Sequence, residues 1–92
     1  RHNLDLDKDW ASFQLHFVKV HPDFFEKLER DFSSLSQYDC KLLAYIRMKL
    51  SNKEISLLLN ITNKSVEMAR YRLKKKFNLG TEDNLDKWLE KY

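Results

Sequence analysis

Between Ser51 and Phe77 the chain must start a helix, end it and start another within a short span, and residue types suited to each step stand in order. Ser51-Asn52-Lys53-Glu54 puts a hydroxyl at a helix N-cap and a carboxylate three residues later, a reciprocal box that satisfies two orphan backbone N–H groups. Ile55, Leu58 and Leu59 supply an apolar side for the helix that follows. Asn60 fits its end, because Asn tolerates the left-handed conformation that stops a helix. Ile61 packs inward, and Thr62 caps a second helix with Ser65 at its third helical position. A short capped helix, a three- to four-residue turn and a longer helix make the spacing of a helix-turn-helix.

The second helix, Thr62 to Phe77, is basic and amphipathic. At about 100° per residue, Val66, Ala69, Leu73 and Phe77 fall on one narrow stripe. Lys64, Glu67, Met68, Tyr71 and Lys75 lie nearly opposite. A helix that docks through one stripe and presents long polar, cationic and aromatic side chains on the other has a surface suited to the DNA major groove. The plainer alternative, a solvated surface helix, remains open on this stretch alone.

Charge distribution separates the two. Ser36 to Gly80 holds ten bases against three acids, net +7, whereas Arg1 to Leu35 and Thr81 to Tyr92 are each net −2. Positive charge confined to the segment with the helix-turn-helix is the footprint of a polyanion-binding element. One domain of 92 residues buries about 60–65% of its unfolded surface, enough for one core and too little for a large enclosed active site. With one Gly, one Pro and 42% apolar residues the chain reads as helix-rich. Cys40 is the single cysteine, which excludes an internal disulfide and a CxxC metal site and fits a reducing compartment. It reads as a small core residue. His2, His16 and His21 lack metal-ligand spacing, no nucleophile sits beside a base, and no glycine-rich loop exists, so neither an enzyme nor a cofactor is expected.

Upstream, residues 1 to 6 lack periodicity and read as a linker remnant; the start at Arg1 rather than Met suggests a piece of a longer protein. A first helix is expected from Asp7–Asp9 to His21, with Trp10, Phe13, Phe17 and Val20 on one stripe and Leu15 and Val18 on another. Pro22 suits the first position of a second helix carrying Phe24, Phe25, Leu28 and Phe32. Most of these rings are expected in the core rather than in a ligand box. Ser36 with Asp39 forms another capping box, opening a helix with Leu42, Leu43, Ile46 and Leu50 inward. After Phe77, Gly80 can supply positive φ and Thr81 a cap for a last, acidic helix with Leu85, Trp88, Leu89 and Tyr92 on one stripe. That helix is expected to brace the core or to pair with its counterpart in a dimer.

LSQYDCKLLAYIRMKLSNKEISLLLNITNKSVEMARYRLKKKFNL resembles the C-terminal DNA-binding domain of the LuxR/NarL family of bacterial transcription regulators. Leu35-Ser36 with Asp39 matches the family's opening, Ser51 to Ile55 its scaffold helix, and Leu59, Ile61, Ser65-Val66 and the K-K-x-x-L ending at Lys75–Leu79 its recognition segment. The resemblance implies an all-α architecture, a four-helix helix-turn-helix domain over 35–92 whose third helix enters the major groove and whose fourth often mediates dimerisation. One or two aromatic-rich helices over 1–34 would lead in from an upstream sensor or repeat region, as in Bacteroidetes-type regulators. Implied partners are double-stranded DNA, a second copy on DNA, the upstream region and RNA polymerase. The implied setting is the cytoplasm, with the parent soluble or membrane-anchored. The chain departs from the pattern at Leu50, where Gly commonly precedes the Ser, at Asn60 for the Gly of the turn, and at Glu67 and Ala69 for a Lys and a His. Base preference therefore does not carry over.

On the outward face, Lys64, Glu67, Met68 and Tyr71 are the expected base-facing residues. Glu67 can accept from a cytosine amino group and Met68 can touch a thymine methyl. Glu67 can alternatively pair within the helix with Lys64, Arg70 or Tyr71. Lys53, Ser65, Arg72, Lys74 and Lys75 are the expected phosphate contacts. Arg70 lies close to the buried stripe and is expected to serve structure first. Two competing readings are a sigma-factor region-four-like promoter-binding domain and a helical protein-interaction module whose basic helix docks on an acidic partner.

Overall fold

The computed structural model describes residues 6–92, with side chains from residue 9 onward. The linker remnant read in residues 1 to 6 lies almost wholly outside the described residues, as does His2. The described residues are helical with no strand: α1 (Leu6–Val20), α2 (Phe24–Asp31), α3 (Gln37–Arg47), α4 (Asn52–Leu59), α5 (Asn63–Lys76) and α6 (Leu85–Leu89). The all-α class expected from the sequence is the one found.

Three helices begin as their caps dictate. The Ser36 hydroxyl accepts from Asp39 N–H at 3.0 Å while Ser36 N–H donates to the Asp39 carboxylate at 3.3 Å. The box at α4 is tighter on the carboxylate side, with Ser51 N–H to Glu54 at 2.8 Å and Glu54 N–H to the Ser51 hydroxyl at 3.1 Å. Thr62 Oγ1 accepts from Ser65 N–H at 3.0 Å. Each bond satisfies a donor that the first helical turn leaves without a partner.

The ends of α3, α4 and α5 share one solution. Lys49, Asn60 and Asn78 adopt left-handed φ values of 68°, 57° and 61°. The next N–H reaches back across the last turn: Leu50 to the Tyr45 carbonyl (3.2 Å), Ile61 to Ser56 (3.0 Å), Leu79 to Lys74 (2.8 Å). This is the Schellman closure, and its usual apolar residue after the left-handed one is Leu50, Ile61 and Leu79 in turn, each half-buried.

The turns depart from expectation at three places. The backbone position where glycine would relieve strain before Ser51 is Lys49, because Leu50 itself supplies the apolar contact of the closure. Beyond α5, Asn78 and not Gly80 takes the positive φ, and Asn84 and not Thr81 caps α6, accepting from Lys87 N–H at 3.1 Å. Gly80 N–H instead donates to the Asp83 carboxylate at 2.7 Å, which uses Asp83 in the loop and delays the last helix to Leu85. At the other end of the chain, α1 stops at Val20, and a turn closed by Phe24 N–H to the His21 carbonyl (3.3 Å) takes up Pro22 and Asp23, so that α2 starts at Phe24 instead of Pro22. Leu50 lies past the end of α3, which closes at Arg47.

One apolar cluster is fed by all six helices, from Phe17 of α1 and Phe24 and Leu28 of α2 to Leu85 and Leu89 of α6. Val66, Ala69, Leu73 and Phe77 are all buried, as the helical stripe requires. The lead-in rings pack as expected: Phe17 meets Phe24 edge-on at 4.9 Å, and Phe13 and Trp10 lie against Tyr45 of α3 at 4.7 and 5.6 Å. A second aromatic group ties three distant segments together, with Phe77 stacked on Trp88 at 4.5 Å and Phe32 tilted against Phe77 at 4.7 Å. Such pairs add about 0.5–1.5 kcal/mol each beyond the area they bury. Val20, expected on the core stripe with Trp10, Phe13 and Phe17, is exposed at the last turn of α1, and of the second stripe Leu15 is exposed while Val18 is half-buried. No described helix is long and apolar enough to cross a membrane.

A left-handed lysine costs about 1–2 kcal/mol relative to glycine, from which the roughly 0.4–1 kcal/mol of extra chain entropy that glycine loses on folding is subtracted. Its ion pair to Glu90 is half-exposed on both sides and worth little. Lys49→Gly should therefore raise stability by about 0.5–1 kcal/mol, read as a higher urea midpoint at unchanged slope. Leu50→Gly, one residue on, should lower it.

Candidate nucleic-acid interface

α4 and α5 pack against each other and are joined by Asn60, Ile61 and Thr62. With one helix end and one helix start fixed by hydrogen bonds inside those three residues, the junction leaves α5 little freedom relative to α4. Ile55 and Val66 bury between the helices and the core, and everything opposite on α5 is turned to solvent.

Lys64, Glu67, Met68, Tyr71 and Lys75 all stand on that outward face, and Met68 and Tyr71 are 62% and 53% exposed. With Lys75 they put apolar, aromatic and cationic side chains side by side on one solvent-facing surface. The Lys75 ammonium lies 5.0 Å from the Tyr71 ring centre, a cation–π contact that extends the cationic character over the ring. Among the described residues Glu67 has no ion-pair partner, so neither Lys64 nor Arg70 takes it up and its carboxylate is free to accept from outside. All four residues expected to face bases thus share one exposed surface.

The expected phosphate contacts divide. Lys53 at the start of α4 and Lys75 on α5 are exposed and, among the described residues, have no ion-pair partner. Ser65 is exposed, its hydroxyl oxygen accepting from the Thr62 hydroxyl at 3.0 Å while its own proton stays available. Lys74 is half-buried and its ammonium donates to the Thr81 carbonyl at 3.0 Å, which anchors the α5–α6 loop. Arg72 is held by Asp39, Nη2 to Oδ1 at 2.8 Å. Arg70 pairs with Asp86 of α6, the structural use expected of it.

Lys76 received no role from the sequence, yet its ammonium sits 3.5 Å from the other Asp39 oxygen and donates to the Ser34 carbonyl at 3.3 Å. Arg72 and Lys76 are one helical turn apart on the flank of α5, and that i, i+4 spacing was the available signal. Asp39 itself read only as a cap. It is 95% buried, and burial pushes its carboxyl up; the Arg72 hydrogen bond, the Ser36 N–H and the charges of Arg72 and Lys76 outweigh that and hold it below the usual carboxylate range.

α6 braces this assembly. Leu85 and Leu89 are buried, Glu90 pairs with Lys49 at 2.6 Å, and Arg47 donates to the Glu90 carbonyl at 3.3 Å. Cys40 is half-buried, and burial together with the charges of Asp39 and Glu29 pushes its thiol up, which makes it a poor nucleophile. Among the described residues no group of three His, Cys, Asp or Glu could hold a metal ion.

Asp39 should show in acid. Its folded-state value is depressed, so its contribution to stability is complete above the ordinary value of 3.8 and is lost as pH falls through the depressed one. Asp39→Asn should cost about 1–3 kcal/mol at neutral pH. It should also flatten the fall of stability below pH 3.8, measured by urea unfolding at a series of pH values.

No curated protein and no solved structure matches the chain. The family model GerE, bacterial regulatory proteins of the LuxR family, matches residues 33–85, a span that opens before the Ser36–Asp39 box and takes in α3, α4, α5 and the start of α6. With more than half of its 92 residues inside that match, the chain belongs to the LuxR family of bacterial regulatory proteins and carries that family's DNA-binding helix-turn-helix.

Proposed function

We propose that the chain is the output domain of a bacterial transcription regulator, binding double-stranded DNA in a sequence-selective way with α5 in the major groove. The observation that carries this is the outward face of α5, where an unpaired carboxylate, two open apolar side chains and two free ammonium groups are held rigidly on a capped scaffold helix. Lys64, Glu67, Met68 and Tyr71 face base edges. Glu67 accepts from a cytosine amino group and Met68 lies against a thymine methyl. Lys53, Ser65, Lys74 and Lys75 take phosphates, with the N-terminal dipole of α4 assisting Lys53.

One such domain covers little DNA, so strong selectivity comes from two copies on half-sites about 34 Å or a multiple apart. Signal from an upstream sensor or repeat region then acts by changing how the two copies are held. In this reading the domain works in the cytoplasm and its occupancy is read by RNA polymerase.

Titration of labelled duplex against the chain tests this. At low salt random duplex should bind, with log affinity falling against log salt at a slope of about −5 if about six phosphates are neutralised. An interaction module docking on an acidic protein would leave duplex unbound. After selection of preferred sequences from a random pool, Lys75→Ala should weaken all sequences by a similar factor. Lys74→Ala should do so less, because the Thr81 carbonyl already shares its ammonium. Glu67→Ala should change which sequence is preferred; equal loss on preferred and random duplex would remove its role in base reading.

A further inference from the structure

We infer that Asp39 is a positioning residue for DNA reading and that Arg72 is its tether, not a phosphate ligand; the inference rests on the DNA-binding reading above. Asp39 sits at the third position of α3, on a different helix from the reading face and 33 residues before Arg72. Its carboxylate is 5% exposed and meets three partners: it accepts from Ser36 N–H at 3.3 Å and Arg72 Nη2 at 2.8 Å, and the Lys76 ammonium stands at ion-pair distance, 3.5 Å. Two of the three come from α5.

The apolar stripe of α5 cannot by itself set the helix's rotation closely. Burial of Val66, Ala69 and Leu73 is non-directional as a driving force, so it sets the roll of the joined α4–α5 unit against α3 less sharply than a directional contact does. A charge-assisted hydrogen bond to a buried carboxylate is directional and short-ranged. Arg72 and Lys76 close on Asp39 from successive turns, which fixes both the roll of α5 and its travel along its axis. A buried carboxylate left without these partners would be strongly unfavourable, so the tether holds even though the Arg72 side chain is 48% exposed. Tyr71 is the residue next to Arg72, and Met68 and Lys75 lie one turn either side of it, so any roll at Arg72 is carried to the residues proposed to read bases.

The consequence differs from that of a phosphate ligand. Loss of a phosphate ligand weakens every sequence and lowers the salt slope by about 0.9. Loss of the tether misplaces the reading face and spares the general electrostatic grip.

The experiment titrates the selected duplex and a random duplex across a salt series with the whole chain and with Asp39→Asn, Arg72→Gln and the double variant. Circular dichroism melting of each protein confirms that it is folded at the assay temperature. Expected are a loss of about tenfold on the selected duplex for each single variant, a double variant no weaker than either, little change on random duplex, and a salt slope equal to that of the unaltered chain. Arg72→Gln alone suffices should Asp39→Asn fail to fold, since its side chain is half in solvent. A salt slope lower by about 0.9 for Arg72→Gln, with equal loss on both duplexes and losses that multiply in the double variant, would make Arg72 a phosphate ligand and overturn the inference. If the unaltered chain bound neither duplex, the DNA-binding reading itself would fail.

Discussion

Three residues separate α4 from α5, and the presentation of the reading face depends on how they dispose of their backbone groups. A helix end leaves four carbonyls and a helix start four N–H groups without helical partners. Asn60 turns left-handed so that Ile61 N–H returns to the Ser56 carbonyl, and Thr62 then accepts from Ser65 N–H. Ile61 between them faces the core and removes the remaining slack. A longer connection would satisfy the same groups through water and let the two helices hinge. This one makes α4 and α5 a single rigid piece, which is what a face of five exposed side chains needs if they are to meet base edges together.

The same local chemistry explains what was legible in the sequence. Ser36, Ser51 and Thr62 each announce a helix start because the cap bond spans only three residues, and the structure has all three. The apolar stripe of α5 was equally plain, since its spacing follows from helix geometry. The ends were harder to read. Asn60 has the residue type that marks a left-handed stop, but Lys49 does not, and only the paired return bonds of Leu50 and Lys49 show that the stop lies there. Gly80 was misleading for the opposite reason: a residue free to adopt positive φ need not do so when Asn78 has already closed the helix.

Contacts between distant segments were not readable at all. Asp39 looks like a complete cap on its own, and the i, i+4 spacing of Arg72 and Lys76 marks a shared flank without revealing that it closes on the Asp39 carboxylate. The aromatic lead-in shows the same limit. Its rings were expected in a core, but their partners follow from packing: Phe32 meets Phe77 at the end of α5, and Phe77 stacks on Trp88 of α6. Phe17, Phe24 and Leu28 are as buried as Leu42 and Leu43 of α3. The helices before residue 34 therefore share their apolar cluster with the helix-turn-helix, and a strain applied to α1 or α2 is transmitted to α5 through side chains already in contact.

Electrostatics shows why the local pattern and the long-range contacts must be read together. The segment from Ser36 to Gly80 carries a net charge of +7, and most of its cations crowd into α5. Arg70 is matched by Asp86, Arg72 and Lys76 converge on Asp39, and Lys49 is matched by Glu90. Two of these three acids belong to the acidic last segment, which thus neutralises the flanks of the basic region. The cations left unpaired at the interface, Lys53, Lys64 and Lys75, form a narrower and better-defined feature than the sequence charge suggests. Paired flanks leave fewer sides of α5 open to phosphate than a helix cationic all round would have. The ammonium groups of Lys64 and Lys75 stand on the same face of α5 as Glu67, Met68 and Tyr71, so in the proposed reading the electrostatic approach and the base-reading orientation coincide.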